Sequence, residues 1–473
     1  MNENNLRYIF QDTAEAIKYK SNDYNTMTPN DFYYRIMNIN TDLVPPNSST
    51  IYCKATSDTI PKYSFVELEK RADSNNYKTI AISTSDINNK AAYSMIIKVN
   101  NNKVIFHYAY SNISYLDIYT RDTENNTFIK QNRSSFNNVD DCPGFFKVSD
   151  NLYYVFYVNK STTKVCYRTY NSDTYELSDE TALNNLIAGK VRVYQVNSNT
   201  CVLMNTNSSA YMNCVKYNNG SIELGAQITV FTNIPSIGIT FDDIKNGVNI
   251  DDNTFMLSAS NGPLGVGIYR INSNLSISKL SETILKYADG SDIDAGGIAS
   301  YIIHIRDNKY SSLFYDYEKK TSHGVVFSVN NNSIVVEKDF IINIDSLVSM
   351  MTLSIDICTD ENGDNYLFAS ANKAKATLKA KIAFDENDNL VVSDTEIFNI
   401  SVYTNASKIN GSCACFLEDR YFVITTKTNT MFRFYLPVYT TTAKLAENKI
   451  DGIALTNLSS TNPNGAVGIL RQS

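Results

Sequence analysis

Two different periods run along the chain. Over residues 1–40, Leu6, Ile9, Phe10, Thr13 and Ile17 fall near one face at a spacing of about 3.6 residues. A second start follows at Met27-Thr-Pro-Asn-Asp-Phe32. Thr28 can cap, Pro29 suits the first helical position because its missing N–H would have no partner there, and Asp31 favours the helix dipole. Phe32, Ile36 and Ile39 then recur at i, i+4 and i+7. This predicts a short helical hairpin over 1–40. Asp42 to Thr50, with Pro45, Pro46 and a Ser/Thr/Asn cluster, breaks it. Residues 41–74 read as a linker that ends in a strand able to close a sheet ring.

From about residue 75 the apolar positions come in short or alternating runs separated by Asn, Asp and Gly. The recurring unit is four strands, with a polar turn after the first. Its turn anchors are Asn102, Asn151, Asn199, Asp252, Asn308, Asp364 and Asp419, spaced by 49, 48, 53, 56, 56 and 55 residues. Four strands every 40 to 50 residues is the period of propeller blades, whereas solenoids of that period are helical. The chain therefore reads as an all-β protein, a seven-bladed β-propeller over 75–445. Two β-sandwiches are the competing arrangement. Residues 446–473, with alternating strands and Asn464-Gly465, predict a small C-terminal β-hairpin.

Composition narrows the function classes. The chain has 473 residues, with 43% hydrophobic, 19% charged, no Trp and 33 Tyr. Uncharged polar residues fill the gap, which suits strands joined by Asn-built turns. A net charge of −7 without a Lys/Arg stripe argues against nucleic acid as a partner. No apolar run approaches 18 residues and Met1 to Arg7 lacks a basic segment leading into an apolar one. The expectation is therefore synthesis in the cytoplasm without a signal peptide or membrane insertion. The eight scattered cysteines read as reduced, small core residues, and Cys413-Ala-Cys415 lacks zinc-knuckle spacing.

Both ends carry a resemblance that the middle does not. Thr13-Ala-Glu-Ala-Ile-Lys-Tyr-Lys20 followed by Met27-Thr-Pro-Asn-Asp-Phe-Tyr-Tyr-Arg-Ile36 resembles the start of tail and receptor-binding proteins from phages, or phage-tail-like particles, of Gram-positive bacteria. Ile450-Asp-Gly-Ile-Ala-Leu-Thr456 followed by a Gly-containing hairpin is similar to the ending of phage tail and fibre proteins. The match covers about 50 residues. Tyr19 and Tyr24 depart from the small residues usual in the spacer, and the last hairpin has fewer glycines than is typical. The resemblance implies a virion protein of the tail or baseplate, attached to other particle proteins through Ile17, Met27, Pro29, Phe32 and Ile36. Its propeller would recognise a host-surface glycan or protein, or cap the assembly.

Candidate chemistry is sparse. His107 and His304 sit in strand-like runs, and His323 precedes Gly324 in an expected turn. No nucleophile elbow, His-Glu-x-x-His, P-loop or kinase set occurs, and no cofactor is implied. Acidic residues recur before several first strands: Asp86, Asp140, Asp141, Asp242, Asp243, Asp292, Asp294 and Asp345. In a propeller those linkers share one face. Converging carboxylates there would bind a polar ligand, or supply the acid and base of a glycan hydrolase or lyase, the alternative to a non-enzymatic protein. The competing reading is that each Asp caps its own turn. Asp360-Glu-Asn-Gly-Asp364 and Asp385-Glu-Asn-Asp388 resemble calcium-loop fragments but lack the distal Glu, so no metal is assigned.

Overall fold

In a sheet stacked on both faces, both sets of alternating side chains must be apolar, and the second strand of the third repeat shows the consequence. Along Thr200–Thr206, Val202 and Met204 join the core shared with the next sheet, while Cys201 and Leu203 join the core shared with the preceding one. The same split runs through Leu152–Asn159: Tyr153, Val155 and Tyr157 face one neighbour, Tyr154, Phe156 and Val158 the other. The tyrosine clusters are thus packing residues, and these strands read as continuous apolar runs.

The protein is seen in a computed structural model that describes residues 50–55, 59–61, 64–83, 93–110, 112–122, 127–139, 143–187, 189–206, 209–232, 247–260, 262–295, 300–342, 353–360, 362–371, 376–399, 412–418, 421–426, 431–445, 452–454, 458 and 465–469. The helical hairpin expected over 1–40, with Ile17, Met27, Pro29, Phe32 and Ile36, lies outside the described residues. So do Asp86, Asp140, Asp141, Asp242, Asp243, Asp345 and the seventh turn anchor, Asp419. Among the described residues every regular element is a strand.

Contacts divide the chain into two compact units, Thr79–Leu436 and the two ends, Met1–Lys78 with Pro437–Ser473. The larger unit is a β-propeller. Six antiparallel sheets follow one another, each with its strands side by side in chain order; their first strands are Tyr93–Asn100, Gly144–Lys147, Lys190–Asn197, Gly247–Asn249, Tyr301–Arg306 and Leu353–Thr359. In the third blade the fourth strand is interrupted, Ser221–Leu224 and Ile228–Val230 both pairing with the third. Five apolar cores each join two consecutive blades. First strands pack together between blades two and three and between blades four and five, and fourth strands lie outermost: Ser333–Ile341 leaves Val335 and Ile341 exposed.

The blade count differs from the expected seven: among the described residues there are six four-stranded blades. The seventh repeat contributes Ser412–Glu418, Tyr421–Thr426 and Met431–Leu445, three strands of a seven-stranded sheet whose other members come from the chain ends. Turn spacing counts repeats, but it cannot tell which segment supplies a sheet's last strand. Ser412–Glu418 lies between the first strands of blades six and one. Hydrogen bonds at repeat-equivalent positions tie first strand to first strand. Lys98 Nζ donates to the Leu417 carbonyl at 2.9 Å, Lys147 Nζ to Val99 at 3.1 Å, Gln195 Nε2 to Lys147 at 2.8 Å and Asn249 Nδ2 to Val196 at 2.6 Å.

The smaller unit closes on itself. Thr50–Ala55 pairs antiparallel with Gly465–Ile469, which pairs with Gly452–Ala454, which pairs with Phe65–Ser83. Phe65–Ser83 neighbours Met431–Leu445, and Met431–Leu445 returns to Thr50–Ala55 in parallel. Closure of the five removes every free edge, so a small barrel forms around Ala55, Ile60, Val66, Ala454, Leu458 and Val467. The stretch expected as a linker ending in one strand, 41–74, thus holds one strand of this barrel, Thr50–Ala55, and the start of a second, Phe65–Ser83.

His323 lies in a strand rather than a turn, within Thr321–Asn330, and is buried. The glycine after it signalled a turn for the wrong reason. A Cβ on Gly324 would sit 2.2 Å from Cζ of Phe340, so this glycine makes room for an aromatic ring.

Candidate functional site

The linkers between blades one and two and between blades four and five share one face with the neighbouring hairpins that join second to third strands, and the backbone shows how. Between blades one and two, Val139 N donates to the Asn112 carbonyl at 3.0 Å, and Lys160 N to the Asn138 carbonyl at 2.7 Å. Between blades four and five, Ala295 N donates to Gly262 at 2.7 Å, and Tyr317 N to the Asp294 carbonyl at 2.8 Å. Each of these two linkers is therefore clipped to the hairpin on either side of it. Asn112 and Asn138 adopt φ of 66° and 64°, a left-handed conformation in which Asn is at home.

Of the eight acidic residues expected on this face, the described residues include Asp292 and Asp294, both on the linker before blade five. Asp292 is exposed and pairs with Lys286 at 2.9 Å. Asp294 is half-buried and contributes its carbonyl to the clip. Beside them lies a tighter cluster. Tyr287 Oη donates to Asp316 Oδ2 at 2.6 Å, and the Asp316 carboxylate also takes the Lys319 amide at 2.7 Å. The Lys319 ammonium lies 3.2 Å from the centre of the Tyr287 ring. Burial, with the hydrogen bond and charge of Asp316, raises the Tyr287 phenol well above its usual pKa, so it stays a donor. His323, bonded to Thr321 Oγ1 at 2.6 Å, is held neutral by burial and by Lys319. These groups hold one another, and the hairpin's outward-facing surface is Tyr317 to Lys320, with Tyr317 40% exposed.

A cleft of about 570 Å³ opens where the blade-one linker meets blade two, lined among others by Ser135, Asn137, Asn138, Asn159, Arg168 and Glu180. Its polar groups form an ordered chain. Arg168 Nε donates to Tyr157 Oη at 3.1 Å, and Tyr157 Oη donates to Glu180 Oε2 at 2.5 Å. Asn159 Nδ2 reaches both Glu180 oxygens at 2.8 and 3.0 Å, while its Oδ1 accepts the Ser161 amide at 2.9 Å. Desolvation pushes the Glu180 pKa up, but donation from Tyr157, Asn159 and Cys166 and the Arg168 charge outweigh it and hold Glu180 ionised. The guanidinium also lies over the Phe136 ring, 5.8 Å from its centre. This cleft leaves no mark along the chain, because its residues are single polar positions on strands and loops that only the packing of blades one and two brings together.

The turns on the opposite face use their oxygens internally. Asp360 Oδ1 accepts the Asn362 and Asp364 amides, both at 2.9 Å, and Asp385 Oδ1 accepts those of Asn387 and Asn389 at 2.9 and 2.8 Å. Asp364 pairs with Lys381, and Asp388 with Arg306 and with Lys309, the last at 2.7 Å. The calcium-like spacing thus belongs to Asx turns tied by ion pairs. Among the described residues no three His, Cys, Asp or Glu side chains converge as metal ligands, and no helix is long and apolar enough to cross a membrane.

No family model and no curated protein matches the chain. Among solved structures, it is similar to hydrazine synthase of Kuenenia stuttgartiensis, 8% identical, over 77% of this chain and 98% of that one, with a TM-score of 0.45. It is similar to the periplasmic gluconolactonase PpgL of Pseudomonas aeruginosa, 10% identical, over 75% and 99%, with a TM-score of 0.43. It is also similar to a chain of a Saccharomyces cerevisiae assembly of Dbp5 with Nup159, Gle1, IP6 and ADP, 9% identical, over 81% and 99%, with a TM-score of 0.42. At these identities and TM-scores no activity passes from any of them to this chain.

Proposed function

We propose that this chain is a non-enzymatic binding protein of a phage or phage-tail-like particle. The two chain ends attach it to the tail or baseplate, and the propeller's linker and hairpin face presents a rigid surface for host recognition. The observation that carries this reading is the barrel built from both ends: Gly452-Ile-Ala454, part of the segment with the tail-protein resemblance, is one of its five strands. An attachment module and a binding module then fall in separate compact units. The three strands of the seventh repeat act as a seventh blade that closes the ring, which the Lys98–Leu417 tie supports because it repeats the bonds between the other blades.

Deleting residues 1–40 is expected to abolish incorporation into particles while circular dichroism still reports the propeller. Normal incorporation of the truncated chain would refute attachment through that segment. Cell-wall glycan incubated with the intact protein is expected to stay uncleaved. Cleavage that disappears when Asp242, Asp292 and Asp294 are changed together, with folding intact, would establish the hydrolase or lyase instead.

A further inference from the structure

We infer that the cleft between blades one and two is a saccharide site, taking an uncharged oligosaccharide through Arg168 and Glu180. This deepens the binding reading above by naming a ligand class, and rests on it for biological meaning only. The volume of about 570 Å³ falls within the roughly 300–1,000 Å³ of small-ligand sites. The lining is mainly amide, hydroxyl and one charge of each sign, so an apolar ligand would strand donors and acceptors without partners.

Charge decides between polar ligands. Glu180 is ionised and Arg168 always cationic, so an anion meets repulsion from one and a cation from the other. A neutral group with donor and acceptor on adjacent atoms satisfies both, and a vicinal diol is such a group. One hydroxyl accepts from Arg168 Nη2, which donates to no described residue, while its neighbour donates to Glu180. The guanidinium is fixed by Tyr157, by the Ser178 carbonyl at 2.6 Å and by the Phe136 ring, and Glu180 by Tyr157 and Asn159. Groups held this firmly lose little freedom when a ligand binds. Asn138, exposed on the linker clip, adds a further amide at the mouth.

The test is saturation-transfer NMR and calorimetry on the full-length protein with maltotriose, cellotriose and chitotriose, and with trigalacturonate as the anionic counterpart. At least one neutral trisaccharide is expected to bind, and trigalacturonate to bind more weakly. Glu180→Gln and Arg168→Met are each expected to weaken the neutral sugar about tenfold or more, as loss of a charged hydrogen bond does. Because Arg168→Met also removes structural bonds, Ser135→Trp serves as the second variant: it fills the mouth from an exposed position and is expected to block binding with the circular dichroism unchanged. Binding of none of the neutral sugars, tighter binding of trigalacturonate, or binding unaltered in Ser135→Trp would overturn the proposal. Incorporation into particles is scored without sugar, so a failure here leaves the attachment reading standing, and the reverse holds.

Discussion

Acidification from pH 7 to pH 5 should weaken the propeller at His107, adding to a contribution of the same sign from His323. His107 is fully buried in Lys103–Tyr110, its Nε2 lies 2.7 Å from Ser114 Oγ, and its ring packs 5.6 Å from that of Phe145. Burial, with Arg192 nearby, lowers its pKa from 6.5 to about 3. The folded pKa lies below the unfolded one, so the unfolded chain takes up the proton first. The stabilisation is therefore complete above about pH 6.5 and is lost progressively as pH falls toward 3. Between pH 7 and pH 5 the linkage amounts to about 2 kcal/mol, equivalent to roughly 3 °C in Tm for a unit of this size. Urea unfolding at the two pH values, in the parent and in His107→Gln, isolates the effect. The substitution's own cost is the same at both pH values and cancels, so the parent should lose about 2 kcal/mol more than the variant. Equal pH dependence in the two proteins would refute the reasoning.

Two further substitutions probe how the ring is held. Lys98→Met should lower stability by about 1.5 kcal/mol in urea unfolding, because it removes a charged donor and leaves the Leu417 carbonyl without it. Asp117→Asn should cost about 3 kcal/mol, since that buried carboxylate takes Lys130 at 2.8 Å and Arg133 at 2.8 and 3.0 Å, and its loss leaves two cations together. The thermal midpoint by calorimetry checks it.

What could be read from the sequence was whatever repeats. Six of the seven turn anchors, from Asn102 to Asp364, fall in or next to the turn between first and second strands of a blade, because a tight turn demands Asn, Asp or Gly wherever it recurs. A closing strand within 41–74 was expected, but the strand it pairs with was not legible, since pairing between Phe65–Ser83 and Met431–Leu445 joins segments more than 300 residues apart and leaves no local pattern. His323 was misplaced because a glycine that accommodates Phe340 looks identical, in one dimension, to a glycine that turns the chain. The cleft escaped for a related reason: Arg168 and Glu180 are ordinary surface residue types until blade packing brings them beside Ser135 and Asn138.

A cryo-EM map of the assembled particle shows which part of the chain holds it there. Density is expected to join the particle to the barrel formed by the chain ends, with the face that carries Asn138, Asp294 and Tyr317 open to solution. A propeller seated on the particle by that same face, or particles lacking the chain altogether, would contradict it.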